Sequence, residues 1–348
     1  MSDICVLGAG SWGTALANLL AGNGHNIKLW DHITEIVDNI AAERENKRYL
    51  PDIKLSDSIT PVPDMSVALR DADAVVFAVP AQYFGDSFKR ALPYLDYGKP
   101  IVNVAKGIEL KSLRTLSEVA FSIFASSEQA QSDTAVAAAG LKYAVLSGPS
   151  HAEEVARRLP TTVVCASSCP DTAESVRNLF MNDYFRIYTG DDVIGLELGG
   201  AMKNIIALGA GISDGMGYGD NTKAALMTRG LAEMTRLGVK IGADPGTFAG
   251  LGGIGDLIVT CTSMHSRNRR CGILIGEGVS PPAAVEQVGM VVEGIHTAEA
   301  VHDLAAKLGV DVPITDSIYR IIKGEASPDD ALRALMTRDK KEEREQLT

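Results

Sequence analysis

The residues best equipped for chemistry lie in GLGGIGDLIVTCTSMHSRNRR, residues 250–270, which begins almost entirely as glycine and ends as a cluster of cations. Arginine matches the planar fork of a phosphate or carboxylate, and serine and asparagine add neutral donors. The SRNRR cluster therefore suits a small phosphorylated polar molecule. Asp256 and Thr260 are four apart and would share a helix face. Not all three arginines of SRNRR can point the same way, and two or three of them are equally explained as surface salt-bridge formers. Arg269 and Arg270 are read as surface or structural residues.

Lys203 is the next candidate. It sits mid-helix among Ala201, Met202, Ile205 and Ile206, where desolvation would lower an ammonium pKa toward the range useful for proton transfer. The competing reading, a lysine that snorkels its head group to water, is the commoner one for the residue type. Lys106, in the strand-like PIVNVAKGIE, ends a strand before Gly107 and would face either a ligand or solvent. In LSGPSHAEEVA, Ser147 or Ser150 could cap a helix with Glu153 or Glu154 as box partner. Exposed N–H groups at that cap would also suit an anion.

Periodicity indicates the elements that must hold these groups. DICVLGAGSWGTALANLLAGNGHNIKLWD reads as an apolar strand, a turn through Gly8, Gly10 and Gly13, an amphipathic helix and a second strand from Ile27 to Asp31. This strand–GxGxxG–helix context is that of a dinucleotide site. The first glycine makes the turn, the second admits a pyrophosphate, the third allows close helix packing, and the helix N-terminus faces the anion. Asp31, 18 residues past Gly13, could accept from an adenosine ribose; His32 could instead serve a 2′-phosphate. The choice between NAD and NADP stays open.

Further strand-like runs at Asp73–Ala81, Pro100–Glu109, Tyr143 onward and Thr161–Ser167 predict a doubly wound parallel sheet with its ligand at the strands' carboxyl ends. That directs attention to Pro80, Lys106, Gly107, Gly148, Pro149 and Ser150. Near residue 190 helical periodicity takes over, with Ile194, Leu198, Met202, Ile205 and Ile206 on one face. The expected architecture is α/β: a Rossmann-type doubly wound domain over residues 1–189, then an all-α substrate and catalytic domain over 190–348. The final RDKKEEREQLT reads as a solvated end.

Composition narrows the partners. With 348 residues, 46% of them hydrophobic, the chain is long enough for two cores. A net charge of −11 without a basic tract argues against nucleic acid. Five scattered cysteines and six histidines show neither disulfide nor metal spacing, so no metal is expected. No uncharged apolar run approaches roughly 18 residues, and no leader precedes the first strand, so no integral membrane segment and a cytoplasmic location are expected.

GAGSWGTALA, NVAKGIE, LSGPS, ELGGAMKNIIALGAGISDGMGYGDNTKAAL, GIGDLIVTCTS, SRNRR and VVEGI occur in order along nearly the whole chain. Together they resemble the bacterial NAD(P)-dependent glycerol-3-phosphate dehydrogenases. The resemblance implies a homodimer that reversibly reduces dihydroxyacetone phosphate to sn-glycerol 3-phosphate with NAD or NADP, for glycerophospholipid synthesis. It implies that Lys203 is the catalytic proton carrier and that Lys106, Gly148, Ser150, Lys203, Asp256, Ser266, Arg267 and Asn268 meet substrate. Cofactor contacts are implied for Ser11, Trp12, His32, Lys106, Ala152, Arg267, Val291 and Glu293, beside Gly8, Gly10 and Gly13. The chain departs from the commoner family pattern at His151, where an aromatic residue is usual, and at Gly199, where cysteine is frequent. A β-hydroxyacid dehydrogenase or ketopantoate-type reductase is the nearest enzyme alternative, but Ala207 stands where the β-hydroxyacid group would carry asparagine. A nicotinamide-sensing protein without turnover is the alternative from another class, and it would need only the cofactor half.

Overall fold

The computed structural model describes residues 1–132, 140–339 and 342; most of the charged C-terminal run lies outside them. The chain divides into two compact units, Met1–Ala105 with Leu116–Val193, and Lys106–Thr115 with Ile194–Thr348.

In chain order the strands are β1 (Asp3–Leu7), β2 (Asn26–Trp30), β3 (Glu45–Asn46), β4 (Leu50–Lys54), β5 (Ile59–Pro61), β6 (Ala74–Phe77), β7 (Ile101–Asn103), β8 (Ile108–Glu109), β9 (Arg114–Thr115), β10 (Tyr143–Ser147), β11 (Thr161–Ala166) and β12 (Phe185–Gly190). The first unit is built on an eight-stranded sheet ordered β12-β11-β10-β7-β6-β1-β2-β5. From β5 to β10 every neighbouring pair is parallel. The strand order reverses direction between β1 and β6, the switch point where doubly wound sheets open a crevice for ligands. These strands are short β-branched runs such as AVVF, buried at every position, as a sheet covered on both faces requires.

Two expectations are corrected in this unit. The sheet is mixed rather than parallel: β11 runs antiparallel to β10, pairing Val145 with Ala166, and β12 then follows β11 in parallel. The link from Gly148 to Pro160 contains only the five-residue helix Ala152–Ala156 and returns the chain along the same end of the sheet. Nor is Pro100–Glu109 one strand. β7 stops at Asn103, whose side chain accepts the Ala105 N–H at 3.0 Å and turns the chain. Ile108, 1% exposed, then enters the core of the second unit, where β8 pairs with β9. The segment Lys106–Thr115 thus folds with the second unit, although the sequence pattern places it within residues 1–189.

The second unit is helical around the 23-residue helix Val193–Gly215. Its predicted single apolar face is in fact only part of its buried surface, because every residue from Gly195 to Ser213 is buried. By length and composition this helix could cross a membrane, but 83% of its most apolar window is packed inside the protein; it is a core helix. Its glycines let neighbours approach to backbone contact. Gly199 is one case: a Cβ there would stand 2.6 Å from the Gly252 carbonyl oxygen, so a cysteine would not fit without a shift.

Candidate active site

In the first unit the glycine turn links β1 to the helix Ser11–Gly22. Gly8 has φ +113°, and a Cβ on it would meet the backbone of Ala78, just past β6. A Cβ on Gly13 would collide with the Gly8 carbonyl, whereas the space beside Gly10 is open. Gly10 is the N-cap and offers no side-chain acceptor, leaving the first-turn N–H groups for an anion. These features fit a dinucleotide pyrophosphate.

Neighbouring residues brace the turn. Asn46, 2% exposed, donates to the Ala9 carbonyl at 2.7 Å and to Thr14 Oγ1 at 2.9 Å. Ser11 Oγ donates to the Tyr49 carbonyl at 2.6 Å. Sequence reasoning missed Asn46 because a polar residue in a short irregular run carries no periodic signal. The indole N–H of Trp12 is buried without a protein partner.

Asp31 is engaged differently from the ribose expectation. Its Oδ2 accepts from the Ala9 N–H at 2.7 Å and its Oδ1 from the Ile33 N–H at 2.9 Å, so the carboxylate holds the backbone on either side of the strand end. His32 Nδ1 lies 3.1 Å from Asp31 Oδ1, with the His32 side chain 68% exposed.

At the end of β10, Gly148 has φ +144° and packs against Val163. The expected capping box does not form: His151 is the N-cap of Ala152–Ala156 and makes no side-chain cap bond. Ser150 Oγ turns back to the Gly148 carbonyl at 2.9 Å, while Ser147 Oγ is buried without a protein partner. Ala152 is buried.

In the second unit the proposed proton-handling residues converge. Lys203 is 6% exposed, which removes the snorkelling alternative. Its Nζ donates to Asp256 Oδ1 and, at 3.0 Å, to Thr260 Oγ1. Asp256, 1% exposed, begins the helix Asp256–Thr262, and its Oδ2 lies 2.8 Å from Lys106 Nζ. One carboxylate therefore bridges two ammonium groups drawn from distant parts of the chain. Burial pushes Lys203 down to about 7; the Asp256 charge pulls it back up and the Lys106 charge adds to the depression. Burial alone would raise the Asp256 carboxyl, but the Lys106 and Lys203 ammonium groups overturn that and hold it below the usual range.

A second hydrogen-bonded chain runs beside the first. Asn204 Nδ2 reaches the carbonyls of Gly200 and Lys106 at 3.3 and 3.5 Å, so Asn204 braces Lys106's backbone. Asn268 Nδ2 donates to Asn204 Oδ1 at 2.9 Å, and Asn268 Oδ1 accepts from the Gly294 N–H at 2.9 Å. This locates VVEGI: Val291 is 38% exposed, and Glu293 opens the helix Glu293–Leu308 beside Gly294. Ser266 Oγ caps the helix Arg267–Gly276 by accepting from the Arg269 N–H. Arg267 is the first residue of that helix and Asn268 the second. Arg269 turns inward to Asp214, the structural one of the two alternatives the sequence left for it.

Comparison with known proteins places the chain in a family. Residues 3–173 match the family model for the NAD-dependent glycerol-3-phosphate dehydrogenase N-terminus, and residues 192–333 match the model for its C-terminus. A glycerol-3-phosphate dehydrogenase [NAD(P)+] from Pelotomaculum thermopropionicum is 52% identical over 99% of this chain and 95% of its own length. The one from Bacillus velezensis is 49% identical over 100% of this chain and 97% of its own. The crystal structure of glycerol-3-phosphate dehydrogenase from Coxiella burnetii superposes with a TM-score of 0.90 at 38% identity, covering 97% of this chain and 99% of that one. A ketopantoate reductase from Ralstonia eutropha shares the fold, with a TM-score of 0.59 at 16% identity. The chain belongs to the NAD-dependent glycerol-3-phosphate dehydrogenase family.

Proposed function

We propose that the protein reduces dihydroxyacetone phosphate reversibly to sn-glycerol 3-phosphate, with Lys203 as the proton carrier, and so supplies glycerophospholipid synthesis. The observation that carries the residue assignment is the buried Lys203–Asp256–Lys106 bridge with Thr260. An ammonium brought to about 7 is poised both to give and to take a proton near neutrality.

Bound NAD(P)H supplies the hydride that reduces the substrate carbonyl carbon. Lys203 gives its proton to the carbonyl oxygen as that oxygen gains negative charge, and in the reverse direction the neutral amine takes the hydroxyl proton. Lys106, held by the other oxygen of Asp256, adds positive charge that stabilises the developing oxyanion. Thr260 fixes the Lys203 head group through its hydroxyl. Ser266, Arg267 and Asn268 take the phosphate, so that binding energy far from the reacting carbon orients the carbonyl. Gly148 and Ser150 complete the substrate contacts.

Gly8, Gly10, Ser11, Trp12 and Gly13 hold the coenzyme, with His32, Lys106, Ala152, Arg267, Val291 and Glu293 as further contacts. Support comes from the uncapped helix end at Gly10 and the open space beside it. The reading includes a cytoplasmic homodimer, which light scattering on the purified protein and fractionation of cells would test. Ser266-Arg267-Asn268 favours a phosphorylated substrate over a hydroxy acid, and two lysines on one buried carboxylate are superfluous in a pure sensor.

The deciding experiment follows NADH and NADPH oxidation with dihydroxyacetone phosphate beside unphosphorylated dihydroxyacetone. Oxidation should require the phosphate. Lys203→Ala should remove most of kcat while leaving coenzyme affinity nearly unchanged. Turnover near the wild-type rate in that variant would show that another group carries the proton.

A further inference from the structure

Arg269 lies two residues beyond the phosphate-binding Arg267 yet faces away from any ligand role. Its Nε donates to Asp214 Oδ2 at 2.8 Å, and its Nη2 lies 2.8 Å from the same oxygen. Its Nη1 donates to the Thr262 carbonyl at 2.8 Å and lies 3.0 Å from Met264 Sδ. The other Asp214 oxygen, Oδ1, is 2.8 Å from Lys223 Nζ. Arg269 and Asp214 are each only 14% exposed at the side chain.

Three helices of the site meet at Arg269, and Lys223 joins them from a fourth, Asp220–Lys240. Asp214 lies near the end of Val193–Gly215, which carries Lys203; Thr262 ends Asp256–Thr262, which carries Asp256 and Thr260; Arg269 belongs to Arg267–Gly276, which carries Arg267 and Asn268. The same residue's N–H is capped by Ser266. Val193–Gly215 and Arg267–Gly276 also meet at backbone distance: side chains on Gly211 and Gly215 would collide with the carbonyls of Arg269 and Ile273. Their crossing is rigid because no flexible side chain separates them. Arg269 spans the four-residue link Ser263–Ser266 to reach the Thr262 carbonyl, beside the link's own Ser266 N–H to Ser263 carbonyl bond.

We propose that Arg269, anchored by Asp214, is a positioning residue that fixes the span between the proton-handling group and the phosphate site. A substrate bridging the two ends requires that span to be set before it arrives. A displacement of about 1 Å there can cost on the order of a hundredfold. A substrate without the phosphate does not use the span. The proposal rests on the reading that Ser266, Arg267 and Asn268 take the phosphate.

The test measures kcat and KM for dihydroxyacetone phosphate and for dihydroxyacetone in wild type, Arg269→Lys, Asp214→Asn and Lys223→Met. Arg269→Lys keeps the charge but cannot reach Asp214 and Thr262 together. The expected result for Arg269→Lys and Asp214→Asn is a kcat/KM on the phosphate lowered about 10- to 100-fold, chiefly through KM. On dihydroxyacetone, kcat/KM, its pH profile and the KM for NADH should stay within about threefold of wild type. Lys223→Met, which leaves every Arg269 contact in place, should keep the wild-type preference for the phosphate. If Arg269→Lys does not fold, Asp214→Asn, which preserves shape, carries the test. A wild-type enzyme indifferent to the phosphate overturns both the phosphate site and this proposal. A wild-type preference that survives in both variants overturns the positioning role alone, and so do equal losses on the two substrates accompanied by a raised KM for NADH.

Discussion

Replacing Asp256 with asparagine keeps the shape of the side chain and removes the negative charge that Lys203 and Lys106 both touch. At an effective dielectric near 20, a unit charge pair about 4 Å apart is worth about 4 kcal/mol. Spread over 1.36 kcal/mol per pKa unit, that is a fall of about three units in Lys203. Its pKa would drop well below the wild-type value of about 7. At pH 7 the protonated fraction would then fall from about one half to about one in a thousand, lowering the reduction rate on the order of 500-fold. Oxidation of glycerol 3-phosphate needs the neutral amine, whose fraction at most doubles, so it should suffer only through the weaker base. The asymmetry between directions is the signature. In wild type the sign follows from which form works: reduction needs the ammonium and should fall as pH rises through about 7, while oxidation should rise through the same range. Initial rates in both directions from pH 4 to 10, with thermal melts to verify folding, provide the measurement. A variant that still reduces within tenfold of wild type at pH 7, or whose falling limb stays near 7, would refute the electrostatic argument.

Two other outcomes follow from packing. Gly13→Ala drives a methyl into the Gly8 carbonyl and to 3.0 Å from Ala78 Cβ, so it should cost about 1–3 kcal/mol of stability. The same change should weaken NADH binding at least about tenfold, read as quenching of tryptophan fluorescence; unchanged affinity would mean that the turn is not the coenzyme seat. Iodoacetamide should label one cysteine of the native protein quickly, the exposed Cys169, whose thiol, at the N-cap of the helix Pro170–Phe180 beside Thr172, is held below its usual range. Cys165 and Cys261 are pushed up to about 12, Cys271 to about 11, and Cys5 further still by burial. Mass spectrometry showing a second thiol modified at the same rate would contradict that burial.

Legibility followed the range of the interaction. The strand–turn–helix around Gly8, Gly10 and Gly13 is local, and alternation and helical spacing reveal it. The antiparallel β11 looks like any other buried strand in its sequence, because apolar runs do not encode the direction of a neighbour. The end of β7 at Asn103 depends on a side-chain hydrogen bond to Ala105, which interrupts an otherwise strand-like run.

The same division holds in the site. Residue types and motif order were enough to nominate Lys106, Lys203, Asp256 and Arg267, since a phosphate needs cations and a buried lysine needs a counter-ion. Tertiary structure decided how they are wired: Asp256 serves two lysines 150 and 53 residues away, Asp31 accepts from the backbone of Ala9 and Ile33, and Arg269 braces three helices. Each of those outcomes depends on which donors surround one oxygen in space. Hydrogen bonding is short-ranged and directional, so a pattern read along the chain cannot carry it.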